Sequence, residues 1–585
     1  DSDDRKHIMT SKTASHTSTA VPDRHGANLF SSDPSLAGLL KVYLPADLYA
    51  HVQPVFDELG AAAGGRLDEL ASVADKHPPT LAHRSRAGQD QQKIDKHPAY
   101  IELERMAFCQ LGLAAMTHRP GVFGWPDTLP RLAKYALTYV FVQSEFGLCC
   151  PVSMTDSLTG TLLKHGDQEL IDRYLPNLVT QDFDRLTQGA MFMTEQGAGS
   201  DVSAVTTRAF QDAAGWRLEG DKWFCSNPDA GLAMVLAHVE GAPDGMKGLG
   251  LFLMPRILPD GSSNSYRIIR LKDKLGTRSM ASGEIRIEGA TAYLVGEVGR
   301  GFNHMATMIN MSRLSNGVRA AGLMRRAVGE ALFIARERRA FGKRLIEMPL
   351  MQRTLIKMLL PSEQARSMFM HLATCMGRAD GDDPEAGKLV RILTPLIKFR
   401  ACRDARKVTQ DGMEVRGGCG YIEEWSDPRI VRDAMLGSIW EGTSNIVALD
   451  VVRSIRRDDT LEALGVYLQR LLRDPRIPAA SSRLFEQTLE EVITFARNCV
   501  AAVDDVDARR VATALYNITT ATFMAWEAAQ SVGDGRRLAL AHLVLKHRVL
   551  PVNPFAARER KQEFELIAHL LEEKPLDEEL VSTLL

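Results

Sequence analysis

Near Gly189 the chain stops reading as helix, and near Gly301 it starts again. From about Asp33 to Thr187, segments such as Asp68–Asp75 and Leu132–Val142 carry apolar residues at helical spacing, punctuated at Arg119-Pro-Gly and Gly124-Trp-Pro. Short runs of β-branched, aromatic and other large apolar residues follow: Met191–Met193, Trp216–Phe224, Ala233–Val239, Leu249–Met254, Tyr266–Leu271 and Gly283–Glu288. Beyond Gly301, the segments Gly317–Arg339, Met351–Met376 and Leu389–Val415 read as long helices. A last helical stretch, from about Arg456 to Leu585, is broken at Asp474-Pro, Gly533-Asp-Gly and Pro551-Val-Asn-Pro. A strand block enclosed by helical blocks is α+β, here mostly α.

The expected divisions are residues 1–27, 28–188 (helical), 189–298 (strands), 299–455 (helical) and 456–585 (a helical extension). Asp1–Met9 reads as an expression remnant ahead of a native start at Met9, and the polar residues up to Ala27 are expected to be mobile. No apolar run has the length of a membrane span, and no signal-peptide core appears at the start. A net charge of -2 points to neither nucleic acid nor an anionic membrane. The eight cysteines show no metal-ligand spacing, so reduced thiols in a cytoplasmic, reducing compartment and no metal are expected. Cys149-Cys150 lies in an apolar run and reads as core.

One carboxylate stands out. Glu441 follows apolar Ile439-Trp440 and precedes Gly442-Thr-Ser. An acid that is dry on one side and flexible on the other suits a general base. A turn capping a helix would account for the same residues.

Four further segments bear on that choice: Met193-Thr-Glu-Gln-Gly-Ala-Gly-Ser-Asp201, Lys222-Trp-Phe-Cys-Ser-Asn227, Arg338-Arg-Ala-Phe-Gly-Lys343 and Gly417-Gly-Cys-Gly-Tyr421. In this order, with Trp440-Glu-Gly-Thr-Ser-Asn445, they resemble the acyl-CoA dehydrogenase family of flavoproteins over about Pro98–Arg453. His77-Pro-Pro-Thr, His97-Pro-Ala-Tyr, Cys150-Pro-Val-Ser-Met-Thr, Leu271–Gly276, Phe341–Leu350 and the long C-terminal extension resemble its alkylation-response (AidB-like) branch.

The resemblance implies an N-terminal helical domain, a central β-domain, a C-terminal four-helix bundle and an extra helical extension. It implies FAD as cofactor and α,β-dehydrogenation of an acyl-CoA. Glu441 would take the α-proton, a β-hydride would go to flavin N5, and electrons would pass to an electron-transfer flavoprotein. Other members of the family place the base at the position of Ser312, and a serine needs a base of its own. Arg313 would hold the Glu441 region, contact substrate, or form an ion pair. Thr194, Ser200, Phe224, Ser226, Thr443 and Asn445 match flavin-contacting positions, Ser200 also facing substrate. Phe224 replaces a common Trp, and Trp223, the next residue on a strand, would face the core. Arg338, Phe341, Gly417 and Gly418 match positions that reach FAD, Arg338 that of a neighbouring subunit. A homotetramer, a dimer of dimers, follows. Glu414 and Gln352 depart from the family pattern and receive no role.

Two other functions fit the branch. One is a DNA-binding alkylation-response flavoprotein, with a basic patch assembled from Arg536-Arg537, Lys546-His-Arg548 and Arg558–Lys561. The other is an acyl-binding regulator without turnover.

Overall fold

A computed structural model describes residues 20–584, apart from 503, 532, 554 and 556–560. The segment Asp1–Met9 therefore lies outside the described residues. Residues 20–27, expected to be mobile, run against the first helices: the Gly26 N–H donates to the Gly64 carbonyl at 2.7 Å. Burial lowers the Arg24 guanidinium to about 10.

The N-terminal part holds helices α1 (Pro34–Tyr43), α2 (Ala46–Gly64), α3 (Arg66–Lys76), α4 (Pro98–Glu104), α5 (Arg131–Phe141), α6 (Cys149–His165) and α7 (Gln168–Leu178). An antiparallel hairpin interrupts the helices predicted there: β1 (Thr80–Arg84) with β2 (Asp90–Asp95). Its residues are mostly polar, so periodicity hides it. Tertiary contact secures it instead, with Ile94 buried in the core of the strand domain and the Gln92 side chain accepting the Ile268 N–H at 3.0 Å.

The strands are β3 (Gly189–Phe192), β4 (Arg208–Asp212), β5 (Gly215–Ser226), β6 (Leu232–Val239), β7 (Leu249–Pro255), β8 (Tyr266–Leu271) and β9 (Ser282–Leu294). The order is β3-β6-β4-β5-β9-β7, and β7 also pairs with β6, so the sheet curls back on itself. β6 runs parallel to β3 and β4; the other pairs are antiparallel. β4, Arg-Ala-Phe-Gln-Asp, carries too little apolar signal to have been expected.

Three long helices follow: α8 (Gly301–Glu337), α9 (Pro349–Asp380) and α10 (Pro384–Arg416), each packed on the other two. Then come α11 (Ser426–Ala434), α12 (Ser444–Asp458), α13 (Thr460–Leu472), α14 (Ala479–Ala501), α15 (Ala508–Gln530), α16 (Arg536–Val544), α17 (Lys561–Leu570) and α18 (Glu578–Leu584). One apolar core runs through the N-terminal helices, the long bundle and the extension.

Buried ion pairs tie the extension in place. Arg366 bridges Asp33 (2.7 Å) and Glu363 (2.6 Å), and Arg537 reaches both Glu363 and Glu527. Arg536 and Arg537, expected on a surface patch, are thus internal. Lys546 and His547 pair with Glu563, and Arg548 with Asp404. Arg536, Arg537 and Arg548 thus serve packing, whereas Lys546 and Lys561 are exposed; Arg558 and Arg560 lie outside the described residues.

Candidate active site

The first two motif segments meet through a buried pair. Glu195 accepts Lys222 Nζ at 2.8 Å and the backbone N–H groups of Thr206 and Thr207 at 2.7 and 3.0 Å. Burial opposes its charge, but the Lys222 ammonium and the two threonines outweigh it and hold the carboxyl at about 2. Thr194 accepts the Trp223 N–H at 2.9 Å, which lays its strand end beside β5.

Register shifts between Lys222 and Cys225, and that bulge undoes simple alternation. Trp223 is therefore not a core residue as predicted. It is half-buried, and the Lys272 ammonium lies 3.2 Å from its ring centre and 4.8 Å from that of Phe224. Phe224 is 57% exposed, an aromatic face held open on the sheet. Ser200 is exposed on the neighbouring turn, where a Cβ at Gly197 or Gly199 would touch nothing within 4 Å.

Glu441 stands at a convergence of elements. Its backbone is left-handed, φ 55°. Its side chain accepts the Ser312 hydroxyl at one oxygen and Asn316 Nδ2, at 2.9 Å, at the other. Arg313 Nε donates to the Glu441 carbonyl at 3.1 Å, and the same guanidinium pairs with Asp450 at 2.7 Å. Two of its three nitrogens are thus engaged within the protein, and Arg313 holds the loop that carries Glu441. Lys398, buried in α10, donates to the carbonyls of Gly437 (2.5 Å) and Gly442 (3.2 Å), closing the loop from the far side. Among the described residues the Glu441 N–H has no acceptor. Thr443 is the N-cap of α12 without a side-chain cap bond, and Thr443 and Asn445 are exposed.

Cys150 links this loop to the strand domain. Burial pushes its thiol up, and Arg319, Glu441, a Ser226 hydrogen bond and Lys274 all act on it.

A second group gathers at the other end of α8. Arg338 Nη1 donates to the Arg416 carbonyl at 3.2 Å and lies 3.3 Å from where a Gly417 Cβ would be. Gly417 has φ 78°, which favours glycine. Gly418 opens on free space, and Phe341 is 98% exposed. Ser312 and Arg338 are separated by about 39 Å of helix at 1.5 Å per residue.

Asn316 and Lys398 escaped the sequence reading. Asn316 is one helical turn from Ser312, and Lys398 is a lone cation in the apolar run Leu396–Phe399. Both signals were available but do not say what the side chains hold.

Residues 20–185 match the adaptive response protein AidB N-terminal domain, 190–290 the acyl-CoA dehydrogenase middle domain and 299–456 the acyl-CoA dehydrogenase C-terminal domain. The putative acyl-CoA dehydrogenase AidB of Escherichia coli is 35% identical over 422 residues, 70% of this chain and 74% of that protein. The chain belongs to the acyl-CoA dehydrogenase family. Acyl-CoA dehydrogenase family member 11 of Caenorhabditis elegans is 29% identical over 82% of this chain and 79% of its own. The crystal structure of C. elegans ACDH-11 in complex with C11-CoA superposes with a TM-score of 0.84 at 26% identity, covering 94% of this chain and 95% of that one.

Family membership carries the enzyme class, acyl-CoA dehydrogenase, and the cofactor, FAD. The residues fit that group. Phe224 and Phe341 are aromatics left in the open, Gly197, Gly199 and Gly418 leave backbone free to be approached, and Arg338 offers a guanidinium beside Gly417. No helix among the described residues is long and apolar enough to cross a membrane.

Proposed function

We propose that this protein introduces a double bond between Cα and Cβ of an acyl-CoA thioester, with Glu441 as the base. The observation that carries this reading is the set of contacts on Glu441: two donors fix its oxygens, and Arg313 and Lys398 fix its loop. Such a carboxylate is held in one orientation before substrate arrives, which favours proton abstraction by proximity. The free Glu441 N–H is a donor for the thioester oxygen as negative charge builds on it. When bound, FAD supplies the acceptor for the β-hydride. Thr194, Ser200, Phe224 and Ser226 would hold its ring from the strand domain, with Thr443 and Asn445 beyond the Glu441 loop. The α-proton passes to a Glu441 oxygen, and the C–H pair leaves as proton and hydride.

Arg338, Phe341, Gly417 and Gly418 would hold a different FAD. The length of α8 between Ser312 and Arg338 exceeds what one cofactor spans, so each site takes its far half from a partner copy. This supports a second copy at each site, and the family resemblance extends it to a homotetramer built as a dimer of dimers. An electron-transfer flavoprotein in the cytoplasm would reoxidise the flavin. The ACDH-11 complex with C11-CoA supports an acyl-CoA as the substrate class. The DNA-binding alternative loses support because three arginines expected in its patch, Arg536, Arg537 and Arg548, are paired inside the protein.

The test is product analysis. With an acyl-CoA and an artificial electron-accepting dye, the protein should release the 2-enoyl-CoA, two mass units lighter, and Glu441→Gln should not. Release of unchanged acyl-CoA by both proteins would refute the reading.

A further inference from the structure

Arg319 is buried without an anion. It is fully inaccessible, and among the described residues its two terminal nitrogens, Nη1 and Nη2, have no hydrogen-bond partner. Only Nε is engaged, with the Ser315 carbonyl of its own helix at 3.3 Å. The guanidinium lies against two rings, 4.8 Å from the centre of Trp440 and 5.5 Å from that of Phe146. Cation–π contact returns only a small part of what burying an unpaired ion costs. Other buried arginines here are paired: Arg325 with Asp33 and Glu573, Arg366 with Asp33 and Glu363, Arg416 with Glu330 and Asp427.

The neighbours of Arg319 are unsatisfied as well. Trp440 Nε1 and Asn316 Oδ1 are buried and, among the described residues, without partners. Ser312, Asn316 and Arg319 follow at i, i+4 and i+7, one face of α8. The first two hold the carboxylate of Glu441, one on each oxygen, and among the described residues Arg319 makes no hydrogen bond to it. Arg319 is the next position along, about 5 Å deeper by one helical turn. A chain whose α-carbon meets Glu441 and whose tail runs along α8 would end at this guanidinium.

We propose that Arg319, with Trp440 Nε1, forms a specificity subsite for a carboxylate at the far end of a short acyl chain, so that the preferred substrate is the mono-CoA thioester of a short dicarboxylic acid. A guanidinium with both terminal nitrogens free matches a carboxylate in two parallel hydrogen bonds. The proposal rests on the reading of Glu441 as the base, which fixes where the α-carbon lies.

The experiment uses the full-length FAD-loaded protein and length-matched thioesters: butyryl with succinyl, valeryl with glutaryl, hexanoyl with adipyl. Calorimetric Kd and dye-coupled kcat/KM are measured for each. At least one carboxylated thioester should bind about tenfold more tightly than its methyl-ended partner, the value of one charged hydrogen-bond set. In Arg319→Met that preference should vanish or reverse. Arg319→Lys, which keeps the charge and loses the fork, should retain part of it. Equal or tighter binding of the methyl-ended member in every wild-type pair would overturn the proposal, whatever the variants do. So would a preference that survives in Arg319→Met. A carboxylate preference in Kd without turnover of any thioester would sustain the subsite and sink the dehydrogenase reading instead.

Discussion

Ser312 donates its hydroxyl to Glu441 across the gap between α8 and the loop before α12. The two positions at which the family resemblance places a base, one of them filled here by serine, therefore meet at one point. The serine is the donor and the glutamate the acceptor, so the pair has one base and one orienting group.

Ser312→Ala should leave the flavin content and melting temperature near wild type and lower kcat about tenfold, the equivalent of one hydrogen bond to a charged group, about 1.5 kcal/mol. Steady-state kinetics on a single acyl-CoA decide it. An unchanged kcat would mean that Asn316 alone orients the carboxylate.

Lys398 acts at one remove. Lys398→Met keeps the volume and removes both donors to the Gly437 and Gly442 carbonyls. The fold should survive, since a buried cation gives way to an apolar side chain. Turnover should fall while acyl-CoA binding changes little, because the loop carrying Glu441 loses its anchor. A Kd that rises in step with the loss of kcat would show that Lys398 serves binding.

The Glu195–Lys222 pair makes the strand domain sensitive to acid. Glu195 is held at about 2, below its ordinary 4.5, so its contribution to stability is complete above pH 4.5 and is lost as the pH falls toward 2. Lys222→Met leaves Glu195 buried without its cation and should cost about 3–5 kcal/mol, read as a lower denaturant midpoint at pH 7. The deficit should shrink on acidification through that window.

Asp433 behaves in the opposite sense. Burial, with help from Glu145 and Asp75, raises its carboxyl to about 7, although the Thr277 N–H at 2.6 Å and Arg429 pull it down. Its proton is held more tightly folded than unfolded, so stability falls as the pH rises from about 4 to 7. Asp433→Asn keeps an acceptor for Thr277 and removes the titration. The variant should match wild type near pH 4 and melt higher at pH 8. A lower melting temperature at pH 8 would contradict this assignment.

Much of this architecture was readable because its signals are local. The apolar periodicity of α8, α9 and α10 and the short, largely apolar runs of β6 and β7 state their own structure. The hairpin β1–β2 was not readable, since it owes its place to Ile94 and Gln92 docking on the strand domain. Arg536 and Arg537 looked like surface charge because the carboxylates that bury them, Glu363 and Glu527, belong to other helices. Glu441 could be singled out from its neighbours in sequence. Asn316, Arg319 and Lys398 could not be assigned, because what each side chain faces is set by packing between distant segments.

The central claim is that Glu441 removes an α-proton from a bound acyl-CoA. Anaerobic titration of the FAD-loaded protein with short acyl-CoAs, following the oxidised-flavin absorbance, tests it most directly. The account predicts rapid bleaching by at least one thioester in wild type and none in Glu441→Gln at equal flavin content. Equal bleaching in both proteins, or no bleaching across the whole panel in wild type, would contradict it.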